Sequence, residues 1–138
     1  MSIKDLQAGE IFQYPYLWAW QQQRGETSGR KNRQTVLAFC YEKAELHFLF
    51  LLAITSKPPL AGQTAIKIPE AERKLARLDA MDLWIIVSEY NYDCLEHSFY
   101  FMPQMRVGKF SNKFTLEISR KLAATVKQKK TEAIRRAE

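Results

Sequence analysis

The residues best suited to chemistry sit in one polar stretch and at the end of one apolar run. Gly25-Glu26-Thr27-Ser28-Gly29-Arg30-Lys31-Asn32-Arg33 carries bases at 30, 31 and 33, with Arg24 just before it and Glu26 as its only acid. It opens directly onto the apolar run Thr35–Tyr41. The next apolar run, Leu46–Ile54, ends in Thr55-Ser56. If the two runs form a hairpin, Arg33 begins one strand, Thr55 ends the other, and both lie at the same sheet edge. A guanidinium beside a hydroxyl suits a phosphodiester and its pentacoordinate transition state. The ordinary alternative is a surface arginine and a turn-forming threonine. A third feature is the aromatic series Phe12, Tyr14, Tyr16, Trp18, Trp20. Its rings either stack bases, at about 1–3 kcal/mol each, or fill a core and an interface.

Other chemistries find little footing. His47 and His97 are far apart, and no Cys/His/Asp cluster has metal-ligand spacing, so neither metal nor cofactor is expected. His47 lies inside an apolar run and reads as a satisfied core histidine. The sequence holds no Gly-x-Ser-x-Gly, Walker or Gly-x-Gly-x-x-Gly pattern. Cys40 and Cys94 have apolar neighbours and read as free thiols in a reducing compartment, with one disulfide between them as the alternative.

The elements that must position these residues read as mainly β. Glu10–Tyr16 alternates as a strand, and residues 21–33 form a long loop of the kind that is usually functional or mobile. Thr35–Tyr41 and Leu46–Ile54 form a hairpin of buried strands. Thr64–Ile68 is a short strand, and Pro69 opens a helix to about Leu78. Met81–Tyr90 is a strand, Asn91-Tyr92-Asp93 a turn, and Ser98–Phe101 a further short strand. Ser111 or Asn112 caps a terminal helix whose apolar face is Phe114, Ile118, Leu122, Thr125 and Val126. Such a chain folds as a small antiparallel barrel or half-barrel with its helices packed outside.

At 138 residues the chain is one domain, and its net charge of +6 attracts polyanions. That charge is unevenly placed. Arg120–Glu138 holds seven bases and two acids, whereas the preceding 119 residues hold fourteen bases and thirteen acids. Residues 1–126 therefore read as the domain and 127–138 as a basic helical extension. The extension either binds phosphates, is solvated, or folds on a partner, and truncation after Val126 should remove most of the basic character yet leave residual activity. No basic segment followed by an apolar run begins the sequence. The longest apolar run, Phe48–Ile54, is seven residues, far short of the ~20 of a membrane span. A cytoplasmic protein without membrane contact is expected.

In order, the motifs are Gly9-x-Ile11, then Gly25-Glu26-x-x-Gly29-Arg30-Lys31-x-Arg33-Gln34, then Ile54-Thr55-Ser56-Lys57-Pro58-Pro59. After these come Ile68-Pro69-Glu70, the stretch from Trp84 to Asn91 (WIIVSEYN) and Gly108-Lys109-Phe110. Over roughly residues 8–126 this order resembles the MazF/PemK family of toxins from bacterial toxin–antitoxin modules, in particular a PemK-like branch. Gln34 stands where the family usually has proline. The resemblance implies an SH3-like barrel of the CcdB/PemK type, a homodimer and a cognate antitoxin. The implied activity is metal-independent cleavage of single-stranded RNA, in which the ribose 2′-OH attacks its own phosphate to leave a 2′,3′-cyclic phosphate. In that scheme Arg33 stabilises the phosphorane or protonates the leaving oxygen, Thr55 donates to the phosphate, and Glu89 is the candidate general base. Glu26, Arg30, Lys31, Ser56, Trp18 and Trp20 are the candidate substrate-binding residues. Two other readings stay open: a gyrase-poison-like binding protein on the same fold, and a degenerate, non-toxic binding domain.

Overall fold

A computed structural model describes residues 5–29 and 31–136. The described residues form one eight-stranded, mainly antiparallel sheet with three α-helices, an α+β arrangement. In order these are β1 (Glu10–Tyr14), α1 (Ala19–Gln23), β2 (Arg33–Lys43), β3 (Leu46–Thr55), β4 (Ala65–Lys67) and α2 (Glu70–Leu75). The remaining elements are β5 (Trp84–Ile86), β6 (Glu89–Cys94), β7 (Arg106–Lys109), α3 (Asn112–Lys127) and β8 (Glu132–Arg135).

The hairpin β2–β3 is the centre of the sheet. Its two-residue turn, Ala44-Glu45, has φ of 52° and 66°, the twist that matches paired strands. Both faces of the hairpin are covered where Thr35–Ala38 runs beside Leu51–Ile54, which is why that half is apolar almost throughout. Ile11, Val36, Leu52 and Ile54 face α3 through Phe114, Ile118 and Leu122. Their chain neighbours Phe12, Leu37, Leu51 and Ala53 face the opposite way, with Tyr14, Ile86 and Phe101. A bulge between Leu37 and Phe39 shifts the register, and beyond it Phe39, stacked on Phe50 at 5.6 Å, is half exposed.

Of the expected barrel or half-barrel the closed form is not found, because the sheet is open. One edge of β3 is shared by two strands: β6 pairs with Phe48–Leu51 and β5 with Ile54–Thr55. The single strand expected over Met81–Tyr90 breaks at Val87-Ser88, so the sheet forks there rather than curling shut. The turn expected at Asn91–Asp93 lies within β6. Asn91 and Asp93 are fully buried, and their inward hydrogen bonds outweigh their preference for turns. Ser98–Phe101 is not a strand; the Ser98 hydroxyl accepts from the Tyr100 and Phe101 backbone and holds the segment in a bend.

The terminal helix begins as expected, its Ser111 hydroxyl accepting from Phe114 N at 3.1 Å. The segment beyond it departs from expectation. In place of a basic helical extension, the chain turns back after α3 and becomes β8, which pairs in parallel with β6 from Glu89↔Glu132 to Tyr92↔Arg135. Ile134 is fully buried against Leu17 and Ala19, so the segment is tied down by an apolar side chain that its basic composition conceals. Residues 1–126 therefore do not hold the whole sheet. Cys40 and Cys94 are free thiols. His47 is half-buried, with Nδ1 2.6 Å from Glu96 Oε2. No helix among the described residues is long and apolar enough to cross a membrane.

Candidate active site

Three strand ends and one short helix meet around a cavity of about 210 Å³. Arg33 comes from the start of β2, Thr55 from the end of β3, Glu89 from the start of β6, and Trp18 and Trp20 from the start of α1. The first two converge through hairpin register. Thr35 pairs with Ala53, and two residues further along each strand lie Arg33 and Thr55, on the same side of the sheet.

α1 is placed by residues distant in sequence. The side-chain amide of Asn91 clamps the backbone of Leu17, donating to its carbonyl at 2.7 Å and accepting from its N–H at 2.9 Å. Ala19 N and the Tyr16 hydroxyl each donate to Glu89 Oε1 at 3.2 Å. These bonds fix the Glu89 carboxylate and tie it to the helix that carries the tryptophans. Burial raises the proton affinity of Glu89 despite the two donors, and the charge of Glu132 pushes it the same way. Desolvation beside Glu89 also holds the Tyr16 phenol firmly protonated.

Arg33 lies over the Trp18 ring, 5.3 Å from its centroid, and Arg24 over the Trp20 ring at 5.2 Å. A guanidinium stacked this way keeps its in-plane N–H fork for an anion. Thr55 Oγ1 accepts from Lys57 N at 3.1 Å; a hydroxyl that accepts there still has its hydrogen to donate. Lys57 and Gln63 complete the polar wall. The cavity thus sets two cations and a hydroxyl against one carboxylate that resists ionisation, beside an indole, Trp20, that is 44% exposed.

The other sequence candidates lie elsewhere. Glu26 lines a separate, larger cavity of about 750 Å³ with Tyr100 and Arg136. Lys31 and Ser56 are exposed and line neither cavity. Arg30 lies outside the described residues. Sequence reasoning missed Lys57, although it sits within the Thr-Ser-Lys-Pro-Pro motif, and Gln63, which no motif marks. It also missed Asn91, which polarity inside an apolar stretch would have flagged. Among the described residues no three His, Cys, Asp or Glu side chains group so as to hold a metal ion.

Scanned against protein-family models the chain matches none, and a search of curated proteins returns no match either.

Proposed function

We propose that this chain is a metal-independent endoribonuclease acting on single-stranded RNA, and a growth inhibitor held in check by an antitoxin. The observation that carries the proposal is the convergence of Arg33, Thr55 and Glu89 with two indoles on one cavity. In the reaction, Glu89 accepts the proton of a ribose 2′-OH as that oxygen bonds to the adjacent phosphorus. The bond to the 5′-oxygen breaks, that oxygen takes a proton from water, and a 2′,3′-cyclic phosphate remains. The raised proton affinity of Glu89 suits a base, because it brings the group closer to working pH. The Arg33 fork and the Thr55 hydroxyl bind the two non-bridging oxygens, where charge builds in the phosphorane. Trp20 stacks a neighbouring base.

In this reading the open sheet is a variant of the SH3-like barrel, and the protein works in the cytoplasm as a homodimer. The half-exposed Phe39 beside Val126 supports a protein partner on that face. The test is cleavage of a mixed-sequence single-stranded RNA in excess EDTA, read as 2′,3′-cyclic phosphate ends. Arg33→Ala and Thr55→Ala are each expected to lose about 10²–10³-fold in rate. Intact RNA at high protein concentration overturns the proposal. Gyrase inhibition without RNA cleavage, indifferent to Arg33→Ala, would select the binding-protein reading instead.

A further inference from the structure

The turn between α3 and β8 brings the basic segment back to the candidate site. The helix ends in a Schellman pair: Lys129 N donates to Val126 O and Lys130 N to Thr125 O, both at 2.9 Å. The turn is then fastened to the β5–β6 break. Thr131 Oγ1 donates to Val87 O at 3.0 Å, and Glu132 N donates to Ser88 O at 2.9 Å. The next residue along is Glu89. The result is a second open cavity of about 450 Å³, walled on one side by Lys129, Lys130 and Glu132. Gln63 and Glu89 belong to the walls of both cavities, so the two adjoin at these residues.

We infer that Lys129 and Lys130 form a second phosphate subsite, which holds a backbone phosphate of the same RNA strand beyond the one cleaved at Arg33 and Thr55. The inference rests on the ribonuclease reading above. A nucleic acid strand carries a phosphate at every nucleotide, so a cavity adjoining the one that holds the reacting phosphate meets another. Lys129 and Lys130 bring two ammonium groups to a cavity whose carboxylates are Glu89 and Glu132, and flexible lysines suit a phosphate gripped as a point charge. Lys129 occupies φ 59°, a conformation that glycine adopts freely and lysine does not.

The test compares binding of mixed-sequence 2′-O-methyl single strands, which lack the attacking hydroxyl, as dinucleotides and as long oligonucleotides. The variant is full-length Lys129→Gly/Lys130→Gln. Glycine relieves the strain at 129, so the melting temperature is expected not to fall. Affinity for the long strand should drop about tenfold or more at low salt. The slope of log K against log salt should become shallower by about 1.4, the effect of two lost contacts at ~0.7 each. Dinucleotide binding should not change. An unchanged long-strand affinity, alongside weakened binding by Arg33→Ala, overturns the subsite and leaves the ribonuclease reading standing. Equal loss for both lengths also overturns it, since the lysines would then act at the central site. If the wild type binds neither length, both readings fall together.

Discussion

Replacing Ile134 by alanine tests whether the end of the sheet holds the candidate site together. Ile134 is fully buried but belongs to a cluster of only three buried residues, with Leu17 and Ala19. Buried Ile→Ala changes cost about 2–5 kcal/mol, least where neighbours can close in on the gap. Its two partners in that cluster, Leu17 and Ala19, stand just before and at the start of α1, and so small a cluster puts the expected cost at about 2–3 kcal/mol. For a chain of this size that corresponds to a fall in Tm of roughly 6–12 °C. The functional loss should be out of proportion, because Leu17 and Ala19 flank Trp18, and Ala19 N is a donor to Glu89. Movement of that segment unseats the indole under Arg33 and the base together. Urea titration followed by tryptophan fluorescence gives the stability, and RNA cleavage well below the transition gives the activity. A loss of stability under about 0.5 kcal/mol, or a destabilised protein that cleaves at the wild-type rate, would refute the argument that β8 supports the site.

Three further outcomes are expected. Glu89→Gln should abolish most cleavage and yet stabilise the fold at neutral pH. Burial raises the proton affinity of Glu89 above that in the unfolded chain, so its linked stability is complete below the ordinary carboxylate pKa and is lost as pH rises through the raised one. Denaturation curves of variant and wild type should therefore coincide in acid and separate towards neutrality. Gly29→Ala should cost more than about 1 kcal/mol and impair cleavage, since φ is 71° and a Cβ would lie 2.4 Å from Pro15 O; calorimetry and cleavage check both halves. Lys129→Gly alone should gain about 1 kcal/mol by freeing a left-handed residue, visible as a higher urea midpoint.

How much of the fold and the site is legible in the sequence depends on how local each signal is. The β2–β3 hairpin stands out because half of it is buried on both faces and its turn is short. The edge shared by Arg33 and Thr55 comes from that hairpin alone. Helix α3 is equally clear, its buried Phe114, Ile118 and Leu122 recurring every fourth residue. β6 reads partly as a turn because Asn91 and Asp93 are turn formers, and partners distant in sequence, among them the Leu17 backbone and the Tyr14 hydroxyl, give them reason to sit in a strand. β8 is hidden more thoroughly. Only one of its four side chains, Ile134, is buried, and parallel pairing with β6 leaves no trace in local periodicity. The link between the basic segment and the site is hidden with it, because charge counts record how many lysines a stretch carries and not where the backbone returns them.

The position of β8 also has a consequence in time. Synthesis runs from the N-terminus, and domains fold as their segments emerge. The β2–β3 hairpin and β1 are available early, but β8 is made after every other strand. Until residues 129–136 have left the ribosome, Glu89 lacks the strand beside it and α1 lacks Ile134 beneath it. A nascent chain would thus carry Arg33 and Thr55 at one end of a formed hairpin, without a finished cleft around them. The walls of the candidate site are thus complete only once the last strand has joined the sheet.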